Sequence, residues 1–206
     1  MRNLRTTRPV RALGAVALTA VLGLTAAGCG SSDSASTADS SNGSSQSSAT
    51  DHNDADVAFA TDMLPHHSQA VAMVELTAGR PLDPEVQQLA DEIRAAQTPE
   101  IETMTGWLTD WDEKVPDTSG SMGSMDGMDS SMPGMMSADD MTSLENSSDA
   151  EFQTMWLEMM VKHHEGAVEM AKTEIADGQY QPALDLADSI VASQSEEIAT
   201  MKGILG

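Results

Sequence analysis

Two stretches of this chain carry adjacent histidines in the same setting. Residues 63–73 read MLPHHSQAVAM and residues 160–170 read MVKHHEGAVEM. The pairs His66–His67 and His163–His164 hold four of the chain's five histidines. Methionines flank each pair in register, Met63 and Met73 in the first stretch and Met160 and Met170 in the second. Neutral imidazoles and thioethers are ligands for soft or borderline cations, so this grouping has the chemistry of a metal site, copper above all. The same groups can also serve as satisfied core polar residues whose hydrogen bonds only fix packing.

The pairs belong to a duplication. An offset of 97 residues carries Leu89 onto Leu186, Ile93 onto Ile190, Gln97 onto Gln194, Glu100 onto Glu197 and Met104 onto Met201, without a gap. At about 100° per residue, His67 falls mid-stripe among Ala60, Met63, Leu64, Ala70, Val71 and Val74. His164 has the same surroundings in the second repeat, while His66, Met73, His163 and Met170 lie at the stripe edges. Glu100 sits among Leu89, Ile93, Met104, Trp107 and Trp111, and Glu197 repeats the arrangement. An isolated buried charge is costly. The glutamate helices are therefore expected against the histidine helices, with Glu100 and Glu197 ligating a metal or orienting an imidazole. Which histidine meets which glutamate, within or across repeats, stays open at this level.

The elements that must position these groups are all helical. Apolar periodicity predicts helices over residues 54–78, 83–111, 149–176 and 182–205, with no strand-like alternation. Pro65 should kink the first, and Asp83–Pro84–Glu85 opens the second with a cap, an N1 proline and an early acid. Short connections make two antiparallel hairpins, residues 54–111 and 149–205. Neither hairpin buries its apolar stripe alone, so residues 51–206 are expected to form one all-α four-helix bundle. Between the hairpins, residues 113–147 form a long polar insert carrying Met122, Met125, Met128, Met132, Met135, Met136 and Met141 among Gly, Ser and Asp. With few other apolar neighbours, these methionines are expected to have no core to fill. They are either Cu(I) ligands or part of a biased linker.

The N-terminus reads as an address. Arg2, Arg5, Arg8 and Arg11 precede a short apolar run over residues 13–27, the pattern of a secretory signal and too short for a stable membrane span. The run ends Leu24-Thr25-Ala26-Ala27-Gly28-Cys29, which resembles a bacterial lipobox. Removal of residues 1–28 would leave Cys29 lipidated and the protein anchored to the membrane; the alternative is a secreted protein with a stray cysteine. As the single cysteine, Cys29 excludes an intramolecular disulfide and a thiolate cluster. Residues 29–50, dominated by serine, make a flexible tether. A net charge of −23 excludes nucleic acid as a partner, and no protein partner is indicated. Zinc is poorly served, with no His-Glu-x-x-His. There is no nucleophile set or cofactor loop, so a non-enzymatic role is expected.

The pattern Met-x-x-His-His-x-x-Ala-Val-x-Met, followed by Leu-Ala-x-x-Ile-x-x-x-Gln-x-x-Glu-Ile-x-x-Met, occurs over residues 55–111 and again over 150–205. It closely resembles the bacterial domain-of-unknown-function family 305. The resemblance implies a ferritin-like fold of two repeats of two helices, secretion, and functional histidine pairs at His66, His67, His163 and His164. It also implies, through some relatives, extracytoplasmic copper binding and tolerance. Lys162 stands at the counterpart of Pro65, so the kink should not be duplicated. Di-iron chemistry does not follow from the fold, because it needs carboxylates on all four helices and two Glu-x-x-His motifs, and no Glu-x-x-His occurs here. Together these readings make a lipid-anchored copper-binding protein, or else a structural or interaction module with a buried His–Glu network.

Overall fold

Asn53 starts the first helix, α1 (Asp54–Glu75): its side chain accepts the Ala55 and Asp56 N–H groups, and the Asp56 carboxylate accepts the Asn53 N–H. This reciprocal box pairs donors that the first turn cannot pair itself. The remaining elements are α2 (Pro84–Asp110), α3 (Ala138–Glu145), α4 (Asp149–Asp177) and α5 (Gln181–Leu205). They are seen in a computed structural model describing residues 51–118 and 132–206. Cys29, the tether and Met122, Met125 and Met128 lie outside the described residues. Among the described residues every regular element is a helix, and none is long and apolar enough to cross a membrane.

α1 packs on α2 and α4 packs on α5, the two hairpins expected from the repeat, and α1 against α4 joins them. Helix α1 runs on through Pro65; it stops at Leu76 rather than at residue 78, and the chain turns through Gly79 at φ +79°. The buried Trp156 indole stitches the hairpins together by donating to the Met73 carbonyl at 2.9 Å.

The apolar core falls into two parts. One joins Ala70, Met73 and Val74 of α1 to Trp156, Leu157 and Met160 of α4, with Ile93 of α2 and Met201 of α5. The other joins Phe59, Met63 and Leu64 of α1 to Ala167 and Ala171 of α4, with Met104 of α2 and Ile190 of α5. The late half of α1 thus meets the early half of α4, so these helices run antiparallel. On every long helix, the polar residues that the repeat keeps in register (His66, His67, Gln97, Glu100 and their counterparts) lie between the two apolar sets.

The insert departs from expectation. α3 lies within it, and Met135, Met136 and Met141 are buried. Met136 and Met141 pack into the first apolar half with Leu144. These methionines do have a core to fill. Within α3 the apolar spacing is Met141 and Leu144 on two turns, too short to stand out against Ser, Gly and Asp. Its capping box, Ser137 with Asp140, fixes the start of that helix.

A candidate metal centre in a buried histidine layer

His66, His67, His163 and His164 are all buried to within 1% of complete. The edge positions are as enclosed as the central ones, because α1 and α4 each face both a hairpin partner and the opposite hairpin. His67 Nε2 lies 2.7 Å from Glu100 Oε2, and His164 Nε2 lies 2.8 Å from Glu197 Oε2. Both pairs form within a repeat, which settles the choice the sequence left open. The glutamates are not stranded: their side chains keep 16% and 17% of their exposure, so each carboxylate reaches from solvent to a buried ring.

Two imidazoles occupy the centre. The rings of His66 and His163, equivalent positions of the repeat, have centroids 3.8 Å apart and tilt by 39°. His66 Nε2 lies 3.0 Å from the Pro133 carbonyl, whereas neither nitrogen of His163 has a partner. Burial, followed by the field of His67, lowers the His66 pKa to about 3. Burial, then the neighbouring His66, pushes His163 well below the ordinary value. Both rings are neutral at pH 7.

A carboxylate or carbonyl can only accept, so Nε2 carries the hydrogen in His66, His67 and His164. In the neutral ring that leaves the lone pair on Nδ1. All three Nδ1 atoms are buried without a partner, as are both nitrogens of His163 and the Oε1 atoms of Gln97 and Gln194. A buried polar group left unmade costs about 1–3 kcal/mol. Of these five imidazole nitrogens, one on each neutral ring carries a lone pair, so the layer offers up to four nitrogen donors that a bound cation would satisfy. The carboxylate–histidine arrangement is the one that orients metal-ligating imidazoles elsewhere. Among the described residues no three His, Cys, Asp or Glu side chains converge as a cation cage. The additional donors at hand are thioethers.

Met63 and Met73 of α1 and Met160 of α4 are fully buried on the two sides of the layer, and Met170 is partly buried. In the insert, Met135 and Met136 are buried, Met136 within the first apolar part, and Met132 is partly buried. Glu197 also lines a groove of about 380 Å³ between α2 and α5, whose other walls include Glu85, Glu92 and Glu196. Sequence reasoning passed over Gln69, which binds Met136. It also passed over a buried carboxyl pair, Asp56 with Glu174. The signal for Gln69 was available: the repeat fails there, with Gly166 at the equivalent position.

Fold and site together define a duplicated helical-hairpin bundle with a buried histidine layer. The chain belongs to the DUF305 family, a domain of unknown function whose model matches residues 56–205. A DUF305 protein from Streptomyces coelicolor is 35% identical, with a TM-score of 0.63, covering 73% of this chain and 91% of its own. A DUF305 fragment from Deinococcus radiodurans is 28% identical, with a TM-score of 0.64 and coverages of 75% and 97%. CopM in its Cu(I)-bound form is 30% identical, with a TM-score of 0.58 and coverages of 72% and 93%. The same protein is also seen in Cu(II)-bound and silver-bound forms. No curated protein matches the chain.

Proposed function

We propose that this chain is an extracytoplasmic copper-binding protein, anchored through a lipid on Cys29, that buffers or scavenges the metal as cargo. The observation that carries the reading is the set of five unpartnered imidazole nitrogens in a fully buried layer. A packing role alone accounts for Nε2 of His67 and His164 and leaves those five unexplained. Similarity to CopM, whose structures hold Cu(I), Cu(II) and silver, supports copper, and the Streptomyces coelicolor relative is named as a secreted protein.

The donor set favours the monovalent ion. With no three His, Cys, Asp or Glu side chains gathered in one place among the described residues, coordination by one or two imidazoles completed by Met63, Met73, Met160 or Met170 suits a soft ion of low coordination number. Glu100 and Glu197 hold imidazole tautomers. The acidic groove at Glu197 gathers cations near His164. The Met122, Met125 and Met128 run of the insert captures Cu(I) through its thioethers.

Titration of the full chain with Cu(I), Cu(II) and Ag(I) under competing chelator tests this. Binding tighter than micromolar, lost when all four paired histidines are replaced, supports it; equal uptake by that variant overturns the core site. Deletion of residues 120–131 should lower Cu(I) stoichiometry without abolishing the core site.

A further inference from the structure

Gln69 and Gly166 stand at the same position of the two repeats and could hardly differ more in side chain. Both touch one segment, residues 132–137, which lies as a strap across the junction of α1 and α4. Gln69, 1% exposed, clamps Met136 at two points: Oε1 accepts its N–H at 2.8 Å and Nε2 donates to its carbonyl at 2.9 Å. Gly166 does the opposite job by having nothing to offer. A Cβ there would run into the Pro133 carbonyl, and one on Gly134 would come within 2.6 Å of the Lys162 carbonyl. Gly134 also holds φ +76°, a conformation side chains disfavour. The strap backbone therefore rests directly on α4 beside His163, and Pro133 ends 3.0 Å from His66 Nε2.

We infer that Gln69 and Gly166 are positioning residues that seat this strap so that the Pro133 carbonyl fixes the tautomer of His66. The carbonyl can only accept, which keeps hydrogen on Nε2 and the lone pair on Nδ1. His163 has no such strap contact: neither of its nitrogens makes a hydrogen bond of ordinary geometry. An undecided His66 would present the wrong nitrogen in part of the molecules. Apparent metal affinity would fall by that fraction. Only this consequence rests on the proposed metal role; the strap's hold on the tautomer does not.

The test is nitrogen-15 NMR of the imidazoles in the full, metal-free chain at pH 7, together with hydrogen exchange at the Met136 amide. In the wild type, His66 should show a protonated Nε2 and a pyridine-like Nδ1. Q69E keeps an acceptor for the Met136 N–H but sets a second carboxylate oxygen against its carbonyl; G166A closes the seat of Pro133. Both should mix the His66 tautomers and speed Met136 exchange about tenfold or more, leaving the His67 and His164 signals unmoved. Ag(I) affinity should drop roughly two- to tenfold in the same variants. Unchanged His66 signals in Q69E, despite faster Met136 exchange, overturn the inference. Should G166A lose its helical circular dichroism, Q69E decides alone. If the tautomer responds as expected but the wild type takes up neither Ag(I) nor Cu(I), the metal reading fails and the positioning role stands.

Discussion

His66 and His163 are equivalent by duplication and their tilted rings lie 3.8 Å apart, yet only the His66 ring has a hydrogen-bond partner. A single strap lies over a junction made of two matching helices, so it can serve one ring and not its twin. The asymmetry separates what the layer costs in stability from what it offers to a ligand.

His163 is the residue to remove first. Both of its nitrogens are buried and unpaired, so a leucine of similar bulk relieves an unmet polar burden. H163L should raise the stability of the metal-free chain by about 1–2 kcal/mol in urea unfolding. The same variant should lose at least tenfold in Ag(I) affinity. A destabilised H163L would mean the ring is already satisfied in a way the geometry does not provide.

Glu100 and Glu197 should behave as twins. Each is bonded to one buried imidazole in its own repeat, at 2.7 and 2.8 Å. A hydrogen bond to a charged group contributes about 1.5–3 kcal/mol, less where solvent reaches it. Double-mutant cycles pairing H67Q with E100Q and H164Q with E197Q should give coupling energies near 1 kcal/mol, equal within error. Coupling between H67Q and E197Q should vanish.

The pH profile carries two signatures of opposite sign. Burial, then Asp56, raises Glu174 from 4.5 to about 8. A proton on it lets two buried carboxyls coexist while Asp56 accepts the Gln179 and Tyr180 N–H groups. A raised folded pKa gives stability that is complete below pH 4.5 and is lost as pH climbs through 8. His66, lowered from 6.5 to about 3, gives stability present above 6.5 and lost as pH falls toward 3. The melting temperature should therefore fall on both sides. E174Q should flatten only the alkaline limb, read by thermal melts from pH 4 to 9.

The acidic groove should govern rate rather than affinity. Glu85, Glu92 and Glu196 surround the outer face of Glu197, and their counterparts in the other repeat are Pro182, Ser189 and Pro99. E92Q combined with E196Q should slow Ag(I) uptake by about three- to tenfold at low ionic strength, with little change at equilibrium. Stopped-flow measurements at two salt concentrations check this; a rate unaffected by either substitution or salt would exclude the groove as the approach.

Much of this architecture was legible in the residues. The 97-residue offset gave the hairpins, and the wheel put His67, His164, Glu100 and Glu197 on facing stripes, because a 3.6-residue period maps directly onto burial. His66 and His163 were harder: a stripe edge reads as half-exposed until a second hairpin and a strap are laid over it. Met136 and Met141 look coreless in the sequence because their neighbours there are polar, while in the fold they join an apolar cluster drawn from α1, α2, α4 and α5. Gln69 opposite Gly166 was visible as a break in the repeat, but its meaning depends on a backbone segment about 67 residues from Gln69.

The polar layer across the middle of the bundle also acts as an alignment pin. Two hairpins built on one pattern invite mistaken pairings, with a slipped register or with the matching half of another molecule. Sliding either one by a single turn would press imidazoles into Leu, Met and Ile and tear them from Glu100 and Glu197. The groups that make the interior hospitable to a cation are thus the ones that let a self-similar chain find one arrangement of its halves.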